Sequence, residues 1–221
     1  MKKFNDLTIS IFNYFIIYLF LESFILALVP NKYIEITRFF STLIVFIISI
    51  YASRNYFKTT FLKNCIECLE KSISLGFYTF LLVFLNLTLS SIQRTVFNAD
   101  LTSVNNNQIV QAALNNPILI GIIIIIFLPV IEELLFKYQL FKNTAFLNNH
   151  WILKTIVLGI IFASMHCFTE IISLDYYALI SFANYFLFYF ITNIIYRKSD
   201  NLMMPITIHC LYNTISYILI F

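Results

Sequence analysis

Long apolar runs separated by short polar intervals dominate the chain. A helix needs about 20 apolar residues to cross a ~30 Å hydrocarbon core. Seven runs reach or approach that length, at roughly 8–29, 35–53, 72–93, 118–141, 152–170, 176–196 and 203–221. They predict an all-α fold, a polytopic membrane helical bundle of about seven transmembrane helices. The longest polar interval, 94–116, is rich in Asn and reads as a loop. Pro117 follows it, and proline suits the first turn of a helix, so Pro117 should open the fourth span. The interval divides the chain into 1–116, three membrane helices and the polar loop, and 117–221, a core of four membrane helices. The stretch 54–71, RNYFKTTFLKNCIECLEK, alternates Phe57, Phe61 and Leu62 with basic residues. It fits either an interfacial amphipathic helix or a solvated loop.

Orientation follows from Lys and Arg in the short loops. With the N-terminus cytoplasmic, the inner segments hold Lys2, Lys3, Arg54, Lys58, Lys63, Lys71, Lys142, Lys154, Arg197 and Lys198. The outer segments hold only Lys32, Arg38 and Arg94. The bias predicts an N-terminus inside and a C-terminus outside. The first apolar run is too long for a signal-peptide core, so no cleavable leader is expected.

Composition agrees. Sixty percent of the 221 residues are hydrophobic and 11% are charged. An ordinary globular chain carries about 25% charge. That excludes a soluble enzyme, a disordered chain and a nucleic-acid-binding module; the net charge of +3 is scattered between apolar runs. Cys65, Cys68, Cys167 and Cys210 give no disulfide framework, and the lone CxxC of Cys65 and Cys68 reads as incidental. The bias toward Ile, Phe, Asn, Lys and Tyr points to an AT-rich genome, and so to a bacterial, multi-pass protein of the cell membrane.

Ionisable residues inside a span are costly and mark candidate sites. The fourth span, PILIGIIIIIFLPVIEELLFKYQLF, holds Glu132, Glu133 and Lys137. Glu133 and Lys137 are spaced i, i+4 in the favourable order for an ion pair. Glu132 points about 100° away and needs a partner from another span. Later spans offer His166 and His209. Counted from Lys142, Lys154 and Asp200 as boundary markers, Glu132, His166 and His209 lie ten, twelve and nine residues deep. At 1.5 Å per residue those depths are about 15, 18 and 14 Å, one level in the membrane. Asn213 shares a helix face with His209, and Phe162 one with His166, where its ring can pack beneath the imidazole.

A carboxylate away from bulk water can serve as a general base near neutral pH. Beside a histidine, it can deprotonate a bound water. A second histidine and a carboxamide can donate to a developing oxyanion. The set fits hydrolysis of an amide. Ser164 points to another side of its helix than His166, and Cys167 and Cys210 are off-face from the histidines they follow, so none reads as a nucleophile. Glu132, His166 and His209 could also bind a divalent metal such as zinc, although the HExxH spacing is absent.

Glu132-Glu133-xxx-Lys137, Phe162-xxx-His166 and His209-xxx-Asn213 resemble the EExxxR, FxxxH and HxxxN motifs of the CPBP intramembrane proteases. That family holds the Rce1-type CAAX prenyl endopeptidases and the bacteriocin-processing and immunity (Abi) proteins, and is often labelled metalloprotease. The resemblance covers about residues 117–216. It implies that Glu132 activates water with help from His166, that His209 and Asn213 form the oxyanion site, and that Glu133 pairs with the basic residue. That residue is Lys137 here, where the family has Arg; it keeps the charge and loses the bidentate fork.

The resemblance implies an intramembrane endopeptidase acting on a membrane-associated peptide or protein, such as a leader peptide, a pheromone precursor or a bacteriocin-related substrate. Two other readings stand beside it. One is a non-catalytic membrane immunity or scaffold protein that binds a partner protein. The other is a carrier or haem binder using His166 and His209.

Overall fold

The computed structural model describes residues 28–97, 104–142, 149–172 and 178–221, together with Thr8, Ile11, Tyr14 and Leu147. Among the described residues the chain is helical, with no strand. The helices are α1 (Ile34–Ala52), α2 (Arg54–Thr59), α3 (Phe61–Glu70), α4 (Ser72–Phe97), α5 (Val104–Asn115), α6 (Pro117–Lys142), α7 (Trp151–His166), α8 (Phe168–Ile172), α9 (Ala178–Ser199) and α10 (Met203–Ile218). Three of them, α1, α4 and α6, are long and apolar enough to cross a membrane, and α7 is a shorter apolar helix. The expected first span, 8–29, falls almost wholly outside the described residues.

Exposure shows which solvent each face meets. On α1, Ile36, Phe40, Ile44, Ile47 and Tyr51 form an exposed apolar stripe, while Thr42 and Ser49 are buried. On α4, Ile73, Phe77, Phe80, Phe84 and Leu87 do the same. In water such stripes would be buried against another element; here they suit lipid. The interior instead gathers polar side chains, which hold the helices together by hydrogen bonds. Asn193 on α9 donates to Thr155 on α7 at 2.7 Å, and Asn184 on α9 donates to Asn86 on α4 at 2.6 Å. Gln139 on α6 donates to the Ala52 carbonyl and to Ser53 at the end of α1.

Several boundaries differ from those the sequence predicts. The polar interval 94–116 is not simply a loop, because α4 runs on to Phe97 and 104–115 form α5. Its Asn residues mask a short apolar face; Ala112 and Ala113 are buried, with Ile109 and Val110 half-buried beside them. The charged stretch 54–71 is helical as α2 and α3. In α3, Leu62, Ile66 and Leu69 are exposed on one side while Asn64 and Cys68 are buried on the other. The run 152–170 breaks at Cys167, so His166 ends α7 rather than lying within a longer helix. All four cysteines are free.

Pro117 does open α6, where the Asn116 side chain accepts from the Leu119 N–H at 3.3 Å. The close approach of α7 to α9 depends on Gly159. A Cβ placed there would meet Phe186 and Tyr189 ring atoms at 3.1 Å. Gly159→Val should therefore overpack this contact and destabilise the chain by about 1–3 kcal/mol. A thermal-unfolding scan in detergent should show a lowered midpoint, and an unchanged midpoint would contradict the packing described.

Candidate functional site

The middle of α6 departs from α-helical geometry at two places. Residues Ile123–Phe127 form a π-helical turn, Leu128–Glu133 return to α-helix, and Leu134–Lys142 are π-helical again. In the first turn the Leu128 N–H reaches back five residues to the Ile123 carbonyl. The next bond in that register would join residue 129 to the Ile124 carbonyl. Residue 129 is proline and has no N–H. The orphaned Ile124 carbonyl accepts instead from the Asn213 side chain on α10, at 2.9 Å. The proline thus places the carboxamide, because a carbonyl left open inside a membrane needs a donor.

One turn further on, Glu132 and Glu133 are both buried, at 4% and 1% exposure, and meet different partners. Glu133 forms an ion pair with Lys137 at 2.6 Å. Its other carboxylate oxygen lies 3.0 Å from Nδ1 of His209 on α10. The Lys137 ammonium also sits over the Tyr189 ring, 4.4 Å from its centroid. Lys137, Glu133 and His209 therefore make a buried chain of charge and hydrogen bonding, with an aromatic floor from α9. A carboxylate on one imidazole nitrogen fixes the ring's orientation and leaves the other nitrogen to face the cavity.

That other nitrogen, Nε2 of His209, lies 3.9 Å from the Glu132 carboxylate. Nε2 of His166 lies 3.8 Å from the same oxygen. Both distances exceed a direct hydrogen bond. Both leave room for one water at about 2.8 Å from each partner. The Tyr14 hydroxyl donates to Glu132 as well.

The His166 imidazole is clamped by two rings. Phe162 packs against it with centroids 4.6 Å apart, and Tyr185 on α9 stacks on it at 4.4 Å with an 11° interplanar angle. Phe188 on α9 packs against His209 at 4.6 Å. Because α7 ends at His166, these rings, rather than a continuing helix, hold the imidazole. Glu132, His166, His209 and Asn213 all line one cavity of about 470 Å³, which Tyr14, Asn86, Asn184 and Tyr212 also border.

The Glu132, His166 and His209 set does not fit a metal as arranged. Among the described residues, no group of three or more His, Cys, Asp or Glu side chains could hold an ion. Of the cysteines beside the histidines, Cys167 is buried, and Cys210 is half-buried outside the cavity lining.

The structure brings together all seven residues singled out from the sequence: Glu132, Glu133, Lys137, Phe162, His166, His209 and Asn213. It adds Tyr14, Tyr185, Phe188 and Tyr189, which sequence reasoning missed. The last three lie in FANYFLFYF, where their ring spacing looks like any lipid-facing aromatic face.

The α6 geometry yields a test. Asn213→Leu should orphan the Ile124 carbonyl and cost about 1–3 kcal/mol. Pro129→Ala restores a backbone donor, so the double variant should lose less than the sum of the two single changes. Additive losses in thermal or denaturant unfolding would contradict the link.

Residues 114–215 match a family model described as Rce1-like, type II CAAX prenyl endopeptidase. No curated protein and no solved structure matches the chain.

Proposed function

We propose that this chain, whose residues 114–215 belong to the Rce1-like family, is an intramembrane endopeptidase that hydrolyses a peptide bond in a membrane-associated peptide or protein. The observation that carries this reading is the buried Glu132 carboxylate facing His166 and His209 across a cavity that Asn213 also lines.

In this reading a water sits between Glu132 and the two imidazoles. Glu132 takes its proton as the oxygen attacks the scissile carbonyl carbon, and His166 orients the water. The carbonyl oxygen becomes an oxyanion. Asn213 offers it the amide hydrogen not used on Ile124, and His209 donates from Nε2 when it carries both protons. On collapse the carbon–nitrogen bond breaks, and Glu132 passes its proton to the departing amine. Glu133 stays ionised throughout, since Lys137 and His209 both hold it. Tyr14 positions Glu132 from a part of the chain outside the matched segment.

The larger setting is read from the sequence: a bundle of about seven spans with the N-terminus inside, in a bacterial cell membrane. Residues 117–221 form the catalytic core, and residues 1–116 the N-terminal membrane region with its polar loop. Leader-peptide, pheromone or bacteriocin-related processing or self-immunity fits this setting. A metal is not needed for any step above.

The test is cleavage of a library of apolar, membrane-embedded peptides in proteoliposomes, read by mass spectrometry. Glu132→Gln should abolish cleavage at unchanged protein level. Asn213→Ala should lower kcat by about 10²–10³, the usual loss of an oxyanion donor. Undiminished cleavage by Glu132→Gln would refute the mechanism. No cleavage by the wild-type chain, with function retained by Glu132→Gln in cells, would favour a non-catalytic immunity or scaffold protein. A chelator such as phenanthroline should leave the rate unchanged; its loss, restored by zinc, would transfer water activation to a metal. Lys137→Arg should keep activity, because Tyr189 lies where a guanidinium can stack.

A further inference from the structure

The cavity that holds Glu132 extends past the groups the proposed chemistry uses. Along α10 it is lined at His209 and Asn213, and also at Tyr212, Ser216 and Ile220. Tyr212 and Ser216 lie about 5 and 10 Å beyond His209, at 1.5 Å per residue. On α9, which runs back alongside α10, Asn184 precedes Phe188 by one helical turn. Phe188 packs on both His209 and Tyr212, with ring centroids 4.6 and 5.0 Å apart. The Tyr212 hydroxyl is hydrogen-bonded to Asn184 and to Ser216. Asn184 in turn donates to Asn86 on α4 at 2.6 Å. Four polar side chains from three helices thus meet on the cavity wall, beyond the histidines.

Hydrogen bonds between membrane helices hold a bundle together, and these do so. Two observations assign them more. All four side chains line the cavity, and all are half-buried rather than sealed between helices. Their bonding capacity also exceeds their mutual bonds. A carboxamide carries two donors and an acceptor oxygen, and a hydroxyl one donor and two lone pairs. The bonds within the group use about half of those donors. The wall around the group is apolar, with Ile109, Val110, Leu219 and Ile220. Among the described lining residues, only Glu132 and the two histidines can carry charge near neutral pH. Beside the four polar groups an ionised side chain would therefore meet no counter-charge, whereas an uncharged polar one would meet donors and acceptors.

We propose that Asn86, Asn184, Tyr212 and Ser216 form a specificity subsite for an uncharged hydrogen-bonding side chain of the substrate, a carboxamide or a hydroxyl. The inference rests on the endopeptidase reading and names the substrate class of that same cavity: an apolar segment carrying one neutral polar residue. An extended chain advances about 3.3 Å per residue. The distance from His209 to Tyr212 and Ser216 then sets that residue about two or three positions from the cleaved bond. Leucine, similar in size to glutamine, would leave the group's donors against hydrocarbon. A site built to hydrogen-bond its substrate discriminates against an analogue that cannot.

The experiment uses the full chain in proteoliposomes with apolar peptides that differ at one residue, Gln, Leu or Glu, walked along the segment. The readout is the ratio of kcat/KM between peptides, which a merely structural loss leaves unchanged. At the favoured position Gln should exceed Leu about tenfold, the upper worth of one hydrogen bond, and Glu should be cut least. Tyr212→Phe and Ser216→Ala each remove only a hydroxyl and should lower the ratio about threefold, with cleavage of the Leu peptide retained. Asn184→Leu should bring the ratio to one or below. The two hydroxyl variants carry the test should that chain fail to fold. A second arm reads peptide retention by native mass spectrometry in detergent, in the Glu132→Gln background so that peptides stay whole. Preferential retention of Gln peptides, lost on adding Tyr212→Phe, with no cleavage by the wild-type chain, would refute hydrolysis and keep the subsite. Cleavage with equal rates for Gln and Leu at every position, or a Gln preference unchanged by all three variants, would overturn the subsite and leave hydrolysis standing. Neither cleavage nor preferential retention would overturn both.

Discussion

Two adjacent carboxylates in an apolar helix are the constraint around which this structure is built. Neither could be buried alone without a cost of several kcal/mol. The fold treats them differently. Glu133 is closed between the Lys137 ammonium at 2.6 Å and the His209 imidazole at 3.0 Å. Glu132, one residue earlier, turns into the cavity, where the Tyr14 hydroxyl donates to it and the two imidazoles stand off at 3.8 and 3.9 Å. Glu133 is committed to holding its partners in place, and Glu132 is left facing the cavity. A buried ion pair is weak support for stability in general, but losing one partner strands the other and costs about 3–5 kcal/mol. That asymmetry fixes α6, α9 and α10 in one register, because Lys137 rests on Tyr189 and His209 completes the chain.

The backbone serves the same end. The π-helical turn before Pro129 leaves the Ile124 carbonyl open, and Asn213 fills it. A π-turn inside an α-helix often marks a functional site, and here its role is specific, since it sets where a carboxamide stands beside His209. The end of α7 at His166 is a second irregularity. It puts the imidazole at a helix terminus, where Phe162 and Tyr185 hold it from two sides. Single interactions of this kind are weak, but aromatic contacts add about 0.5–1.5 kcal/mol beyond area burial. Together they limit how far the ring can turn.

Much of this was legible in the chain. The charged residues of α6 stood out because apolar surroundings make each of them expensive, and depth counted along three helices placed Glu132, His166 and His209 at one level. The boundary markers used for that count, Lys142, Lys154 and Asp200, line one cavity. The i, i+4 rule also anticipated the Glu133–Lys137 pair. Other features were hidden for physical reasons. Hydropathy could not separate the aromatic residues of α9 that face the histidines from those that face lipid. The Asn-rich interval concealed α5, since an apolar face of four small or branched residues is too short to register. The bond between Tyr14 and Glu132 depends on packing between distant segments, which no local pattern encodes.

The division of labour between the two carboxylates is most directly tested by the thermal unfolding midpoints of Glu132→Gln and Glu133→Gln, measured side by side in one detergent. Glu133→Gln should lower the midpoint markedly, because Lys137 loses its buried counter-charge and His209 its anchor. Glu132→Gln should leave it unchanged or raise it, since a neutral amide relieves repulsion from the neighbouring carboxylate. The opposite order, with Glu132→Gln the destabilising change and Glu133→Gln harmless, would contradict the arrangement described.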